Sequence, residues 1–124
     1  MPNRKVKKEL QALEVFEKSL EEEISMTTDF DLSLSVLVVQ RDDGWDEDST
    51  RLALEALRVA DLVTATTPEE ISIALPNTRT EDALIVARRL REAVPEARLG
   101  ITPHYNGDAV PDLLRRARDS AASA

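Results

Sequence analysis

Two short arrangements in this chain have residue types and spacings that chemistry can use. In Arg58-Val59-Ala60-Asp61 an arginine precedes an aspartate by three positions. Arginine offers a planar fork of donors suited to a phosphate or a flat polar ring edge, and aspartate accepts from ring N–H groups. The same spacing also suits a plain ion pair closing a helix end. Glu69 and Glu70 follow Pro68 directly. Adjacent carboxylates can ligate a divalent cation, but the plainer reading, preferred here, is a pair of exposed turn carboxylates. Elsewhere the chemistry thins out. His104 is the sole histidine, beside Tyr105, Asn106 and Gly107, and no Ser or Cys nucleophile motif accompanies it, so it reads as a surface turn. With three glycines in total there is no glycine-rich phosphate loop. Lys5, Lys7 and Lys8, the run Arg88, Arg89 and Arg91, and the run Arg115, Arg116 and Arg118 read as solvated faces. Trp45 lies among acids in a loop and either covers a cleft or mediates an interface.

Composition bounds what these residues can serve. At 124 residues the chain is long enough for one domain with its own core. Hydrophobic content is 42% and aromatic content 3%, so the core must be Leu, Val, Ile and Ala. A net charge of −8 repels a phosphate backbone and argues against nucleic acid as a partner. The absence of cysteine excludes disulfides, thiolate metal sites and a cysteine nucleophile. No apolar run approaches the roughly 20 residues of a membrane span. Glu9, Glu14 and Glu17 interrupt any signal-type apolar segment behind the first lysines, so the expected location is the cytoplasm.

The elements that must position these residues follow from periodicity. Residues 4–26 lack Gly and Pro, and Val6, Leu10, Leu13, Leu20 and Ile24 form a seam widened by Phe16. This predicts an amphipathic helix that either packs on its own body or pairs as a short coiled coil. Residues 32–40 read as a central strand covered on both faces. Residues 41–48 read as a loop, and residues 49–60 as a helix capped by Asp48 or Ser49. Residues 61–66 and 71–75 read as a hairpin around Pro68. Thr78 and Glu81 have capping-box spacing and open a helix to about Val94, ended by Pro95. A strand at 98–102 and a helix at 108–122, with Pro111 in its first turn, complete the chain. The resulting order β-α-β-β-α-β-α predicts an α/β (α+β) fold on the ferredoxin-like βαββαβ plan. Its sheet is mostly antiparallel with flanking helices, preceded by the N-terminal helix.

Residues 58–76, RVADLVTATTPEEISIALP, resemble the centre of a GGDEF domain of the diguanylate cyclase family. The signature Gly-Gly-Asp/Glu-Glu-Phe falls on Thr67, Pro68, Glu69, Glu70 and Ile71. Residues 16–40, FEKSLEEEISMTTDFDLSLSVLVVQ, are similar to the opening helix and first strand of such domains. Residues 74–94 are similar to the helix after the signature, and residues 97–121 to the last strand and helix. The resemblance thus divides the chain into an amphipathic signalling helix, residues 1–28, and a degenerate GGDEF-like domain, residues 29–124.

The resemblance also implies which functions survive. A cyclase joins two GTP molecules with divalent metal, and the family's metal-ligating Asp at the end of the first strand falls on Gln40. Asp42 matches a second Asp two residues on. Thr67 and Pro68 replace the glycines that let backbone approach the nucleotide. The segment between the first two strands is too short for the family's nucleotide-contacting motifs. The implied domain is therefore no enzyme and has no catalytic residues, no metal and no cofactor. The same resemblance places the family's inhibitory product site, Arg-x-x-Asp, on Arg58 and Asp61, with Arg89 as a further arginine. The expectation is a bacterial regulatory domain that receives cyclic di-GMP through these three residues. The alternative is a ligand-free interaction or dimerisation module, and an enzyme making another nucleotide product is disfavoured by Gln40.

Overall fold

The computed structural model describes residues 8–123. The β-branched run of β1 (Leu34–Gln40) is buried on both faces, as its sequence requires, and lies inside a four-stranded sheet. The strand order is β2-β3-β1-β4, and every neighbouring pair is antiparallel. The remaining strands are β2 (Leu62–Thr67), β3 (Glu70–Pro76) and β4 (Arg98–Pro103). The helices are α1 (Leu13–Phe30), α2 (Glu47–Glu55), α3 (Thr80–Ala93) and α4 (Val110–Ala122). This is the α+β, ferredoxin-like plan expected from the element order, with α1 leading into the sheet.

Alternation along β1 divides the core into two layers. Leu37 and Val39 point to the face covered by α2 and α3, where they meet Ala53, Ala83, Val86, Ala87 and Leu90. Leu34, Val36 and Val38 point to the other face, where α1 supplies Phe16 and Leu20 and α4 supplies Val110, Leu113 and Ala117. The apolar stripe of α1 therefore packs on the body of its own chain. At about 25 cal/mol per Å², fully burying a side chain such as Phe16 or Leu20 contributes roughly 1.5–3 kcal/mol, enough to fix α1 to the sheet.

Several boundaries differ from expectation, each for a local reason. α1 begins at Leu13 rather than at residue 4, and Val6 lies outside the described residues. The segment just before it is drawn to the edge of β2. The Gln11 amide donates to the Val63 carbonyl at 2.8 Å, and the Thr64 hydroxyl donates to the Gln11 carbonyl at 2.8 Å. Leu10 and Leu13, assigned to the seam, are exposed at 37% and 40%. α2 starts two residues early because Asp46, not Asp48 or Ser49, is its N-cap, and Ser49 closes a capping box with it. It also ends early, at Glu55, so Arg58 lies beyond the helix. Thr78 does not cap α3; the N-cap is Arg79, and the Thr78 hydroxyl donates instead to the Pro76 carbonyl at 2.8 Å. The β2–β3 hairpin turns on Pro68 and Glu69, with a bulge between Ala65 and Thr67.

Candidate functional site

Arg58 and Asp61 come together in the turn between α2 and β2. The Asp61 amide donates to the Arg58 carbonyl at 3.1 Å, and the Arg58 amide donates to Asp61 Oδ2 at 2.8 Å. The guanidinium closes the same ring, Nη2 reaching Asp61 Oδ1 at 2.9 Å and Nε reaching it at 3.2 Å. Nη2 also donates to the Thr78 hydroxyl at 2.6 Å, tying the turn to the entrance of α3. The carboxylate of Asp61 is 0% exposed and the Arg58 side chain 48% exposed. The two thus form the i,i+3 ion pair, with the acid sealed and the guanidinium half open. No hydrogen bond to Arg58 Nη1 exists among the described residues.

Among the described residues no hydrogen bond or ion pair joins Arg89 to this turn. It is exposed on α3, nine residues past Thr80, about 13 Å further along the helix at 1.5 Å per residue.

The second cluster forms at the opposite end of the sheet. Cross-strand pairing places Gln40 of β1 directly opposite Glu70 of β3. Thr67, Pro68 and Glu69 are exposed on the hairpin and Ile71 is buried in the core. Glu70 departs from the exposed-turn reading, because its side chain is 4% exposed. The difference is register: Glu69 sits in the turn, whereas Glu70 is the first residue of β3. Arg118 of α4 grips it with two bonds of 2.8 Å, Gln40 Nε2 donates at 3.1 Å, and the Thr66 hydroxyl donates as well. Burial pushes the Glu70 pKa up, but the hydrogen bond from Arg118, then those from Thr66 and Gln40, outweigh it and hold the pKa at about 2.

Arg118 is the residue that sequence reasoning missed. It had been grouped with Arg115 and Arg116 on a solvated face, yet its tip is a fixed counter-ion 48 positions from its partner. Arg116 likewise pairs with Asp108 at 2.6 Å and lies over the Tyr105 ring. The hydrogen bond from Arg116 lowers the Asp108 pKa against the opposing effect of burial. Nothing local in the sequence signals either pairing.

The loop after β1 closes over the hairpin. The Arg41 amide donates to the Glu69 carbonyl at 2.9 Å, and the Trp45 amide donates to the Pro68 carbonyl at 3.0 Å. Arg41 sits 5.8 Å from the Trp45 ring centre, and Trp45 lines a cleft beside α2. Asp42 is exposed and pairs with Arg98 at 3.0 Å. At the other end of the sheet, the His104 amide donates to the Leu34 carbonyl and holds the start of the loop after β4 to β1. Among the described residues, no group of three His, Asp or Glu side chains is placed to hold a metal ion, and no helix is long and apolar enough to cross a membrane.

No protein-family profile and no curated protein sequence matches the chain. Solved structures do. A diguanylate cyclase, SiaD of Pseudomonas aeruginosa, solved in complex with its activator SiaC, superposes with a TM-score of 0.83 at 23% identity. That match covers 92% of this chain and 54% of the cyclase, so the chain spans about half of that protein's length. The active GGEEF domain of a Vibrio cholerae diguanylate cyclase gives 0.80 at 15% identity, covering 94% of this chain and 91% of that domain. The GGDEF domain of DgcB from Caulobacter crescentus, solved with c-di-GMP, gives 0.80 at 11% identity, covering 99% and 92%. The fold of this chain is that of the GGDEF domains of diguanylate cyclases.

Proposed function

We propose that this chain is a regulatory domain of GGDEF fold that does not make cyclic di-GMP. The observation carrying this reading is the Gln40–Glu70–Arg118 cluster. By resemblance, the end of β1 is where a cyclase needs a carboxylate for metal. Here it carries an uncharged amide, and the neighbouring acid Glu70 is already neutralised by a guanidinium in two bonds. A divalent ion would have to displace Arg118 from a carboxylate with its pKa at about 2.

Within this reading, the candidate ligand is cyclic di-GMP held by Arg58, Asp61 and Arg89. Support comes from the half-open Arg58 guanidinium, and from the DgcB domain, whose structure contains that dinucleotide. For Asp61 to accept from the ligand as well, Arg58 must release at least one of its bonds to it, since the carboxylate is sealed. That sealing favours a second reading, a ligand-free module acting through protein contacts. The activator-bound cyclase SiaD is a neighbour in keeping with such contacts. The net charge of −8 keeps nucleic acid outside either reading, and the cytoplasm is the compartment both assume.

Isothermal titration of the purified chain with cyclic di-GMP separates the two. Micromolar binding that disappears in Arg58→Ala, with the variant still folded by circular dichroism at the titration temperature, supports the receptor. Absence of heat at millimolar dinucleotide leaves the ion pair as a structural lock and supports the interaction module.

A further inference from the structure

The cleft beside α2 has a volume of about 1230 Å³. Small ligands fill pockets of about 300–1,000 Å³, so this one suits a length of chain better than a single small molecule. Leu54 of α2, Leu57 and Val59 just past it and Leu62 of β2 give it apolar walls. Val59 is 78% exposed and Leu10, which also lines the cleft, 37%. Aliphatic surface left this open in a concave site is what a partner's apolar side chains cover.

The rim is acidic. Glu9, Asp46, Glu47 and Glu55 line it against Lys8 and Arg51. Both cations are already engaged. Lys8 sends its ammonium to the carbonyls of Val59, at 2.9 Å, and Asp61, and Arg51 pairs with Glu55 at 3.2 Å. Among the described residues, Glu9 and Glu47 have no ion pair. Two polar atoms of lining side chains, Gln11 Oε1 and Trp45 Nε1, are buried without a hydrogen-bond partner. A turn of either side chain toward the cleft would offer an acceptor or a donor to a peptide. A strand cannot add to β2 here, because Gln11 already takes the Val63 carbonyl. Recognition must run through side chains, as when an amphipathic helix lies in a groove.

We propose that this cleft docks a basic amphipathic helix of a partner protein. The aliphatic face of that helix lies on Leu54, Leu57, Val59 and Leu62, and its Lys or Arg side chains meet Glu9 and Glu47. An acidic helix would meet the same carboxylates and be repelled. This rests on the reading of the chain as an interaction module and names its surface and its partner's chemistry.

The test uses the whole chain and a synthetic helix of leucine and lysine, with leucines at i, i+3, i+4 and i+7, beside the same peptide with glutamate for lysine. Trp45 is the only tryptophan and lines the cleft, so its fluorescence reports occupancy there. Affinity comes from titration calorimetry. Glu9→Lys with Glu47→Lys reverses the rim, and Glu21→Lys with Glu22→Lys makes the same change of charge on exposed positions of α1. Both pairs are checked as folded by circular dichroism. The lysine peptide is expected to shift Trp45 emission and the glutamate peptide to leave it unmoved. Binding should be about tenfold weaker in the rim variant and within about twofold of wild type in the α1 variant. Equal weakening in both shows attraction to net charge alone and overturns the site, as does binding that leaves Trp45 emission unmoved. With no peptide binding the proposed surface falls. The interaction module falls with it only if cyclic di-GMP binds in the titration above.

Discussion

Glu70 shows how one residue of register changes the meaning of a carboxylate. Glu69 and Glu70 are neighbours of the same type, yet one is in the turn and the other is sealed in β3 against Arg118. Its pKa falls from an ordinary 4.5 to about 2. A carboxylate depressed on folding contributes stability that is present in full above its unfolded pKa and is lost as pH falls through the folded one. The window here therefore runs from about pH 4.5 down to about 2. Allowing for solvent around the half-exposed Arg118, the contribution at neutral pH is about 2 kcal/mol. Glu70→Gln should be less stable than wild type by that amount at pH 6. Chemical denaturation at steps down to pH 2 should show the two converging, and a constant difference across the range would disprove the assignment. The i,i+3 pair Arg58–Asp61 was legible in the sequence because both partners lie in one turn. Thr78, Lys8 and Arg118 were not, because their partners lie 20, 53 and 48 positions away and only the folded sheet brings them close.

At the scale of elements, periodicity revealed the type and order of every helix and strand because each face is buried against one layer. It failed at ends, where a competing backbone partner decides. The helix seam reads back to Val6, but the edge of β2 offers Gln11 backbone partners that a continuing helix would forgo. Asp46 wins the cap of α2 because Ser49 answers it three residues later. The docking of α4 onto β4 rests on a residue that carries no periodic signal. A Cβ on Gly100 would overlap the Ala117 carbonyl and the Ala121 amide, which are backbone atoms that cannot swing aside. Small residues on both elements let helix and strand approach this closely. Gly100→Ala should force α4 off the sheet and cost about 3 kcal/mol, near the upper end for overpacking, lowering Tm by roughly 10 °C. A melting temperature within about 3 °C of wild type would show that α4 can shift at little cost. Because α4 carries Arg118, the same variant should also loosen the Glu70 pair, which the pH titration above would register.

For the whole molecule, the fold is shared with the cyclases, and the proposed inactivity turns on a few residues at one end of the sheet. At least nine-tenths of the chain superposes on the frame of the cyclases described above, and hydrogen-bonded ion pairs close the two ends of its sheet. One end is locked by Arg58, Asp61 and Thr78, and the other by Gln40, Glu70 and Arg118. The resemblance at Gln40 makes a single reversion the obvious attempt to restore metal binding, and the structure predicts its result. Gln40→Asp would place a second carboxylate opposite Glu70, across one antiparallel pair, with Arg118 bidentate on Glu70 and Arg98 within reach of position 40. The new charge would be answered by arginine, not by magnesium. The variant should therefore fold, take up no more magnesium than wild type by calorimetry, and make no cyclic di-GMP from GTP. Removing the bidentate guanidinium as well, in Gln40→Asp with Arg118→Ala, leaves two carboxylates facing each other with only Arg98 near position 40. That double variant should bind a divalent cation measurably while still lacking the glycines at positions 67 and 68 that a nucleotide would need. Magnesium binding and turnover appearing together in Gln40→Asp alone would refute the inactive reading at its root, because they would show that Arg118 yields to a metal and that the rest of the site was intact.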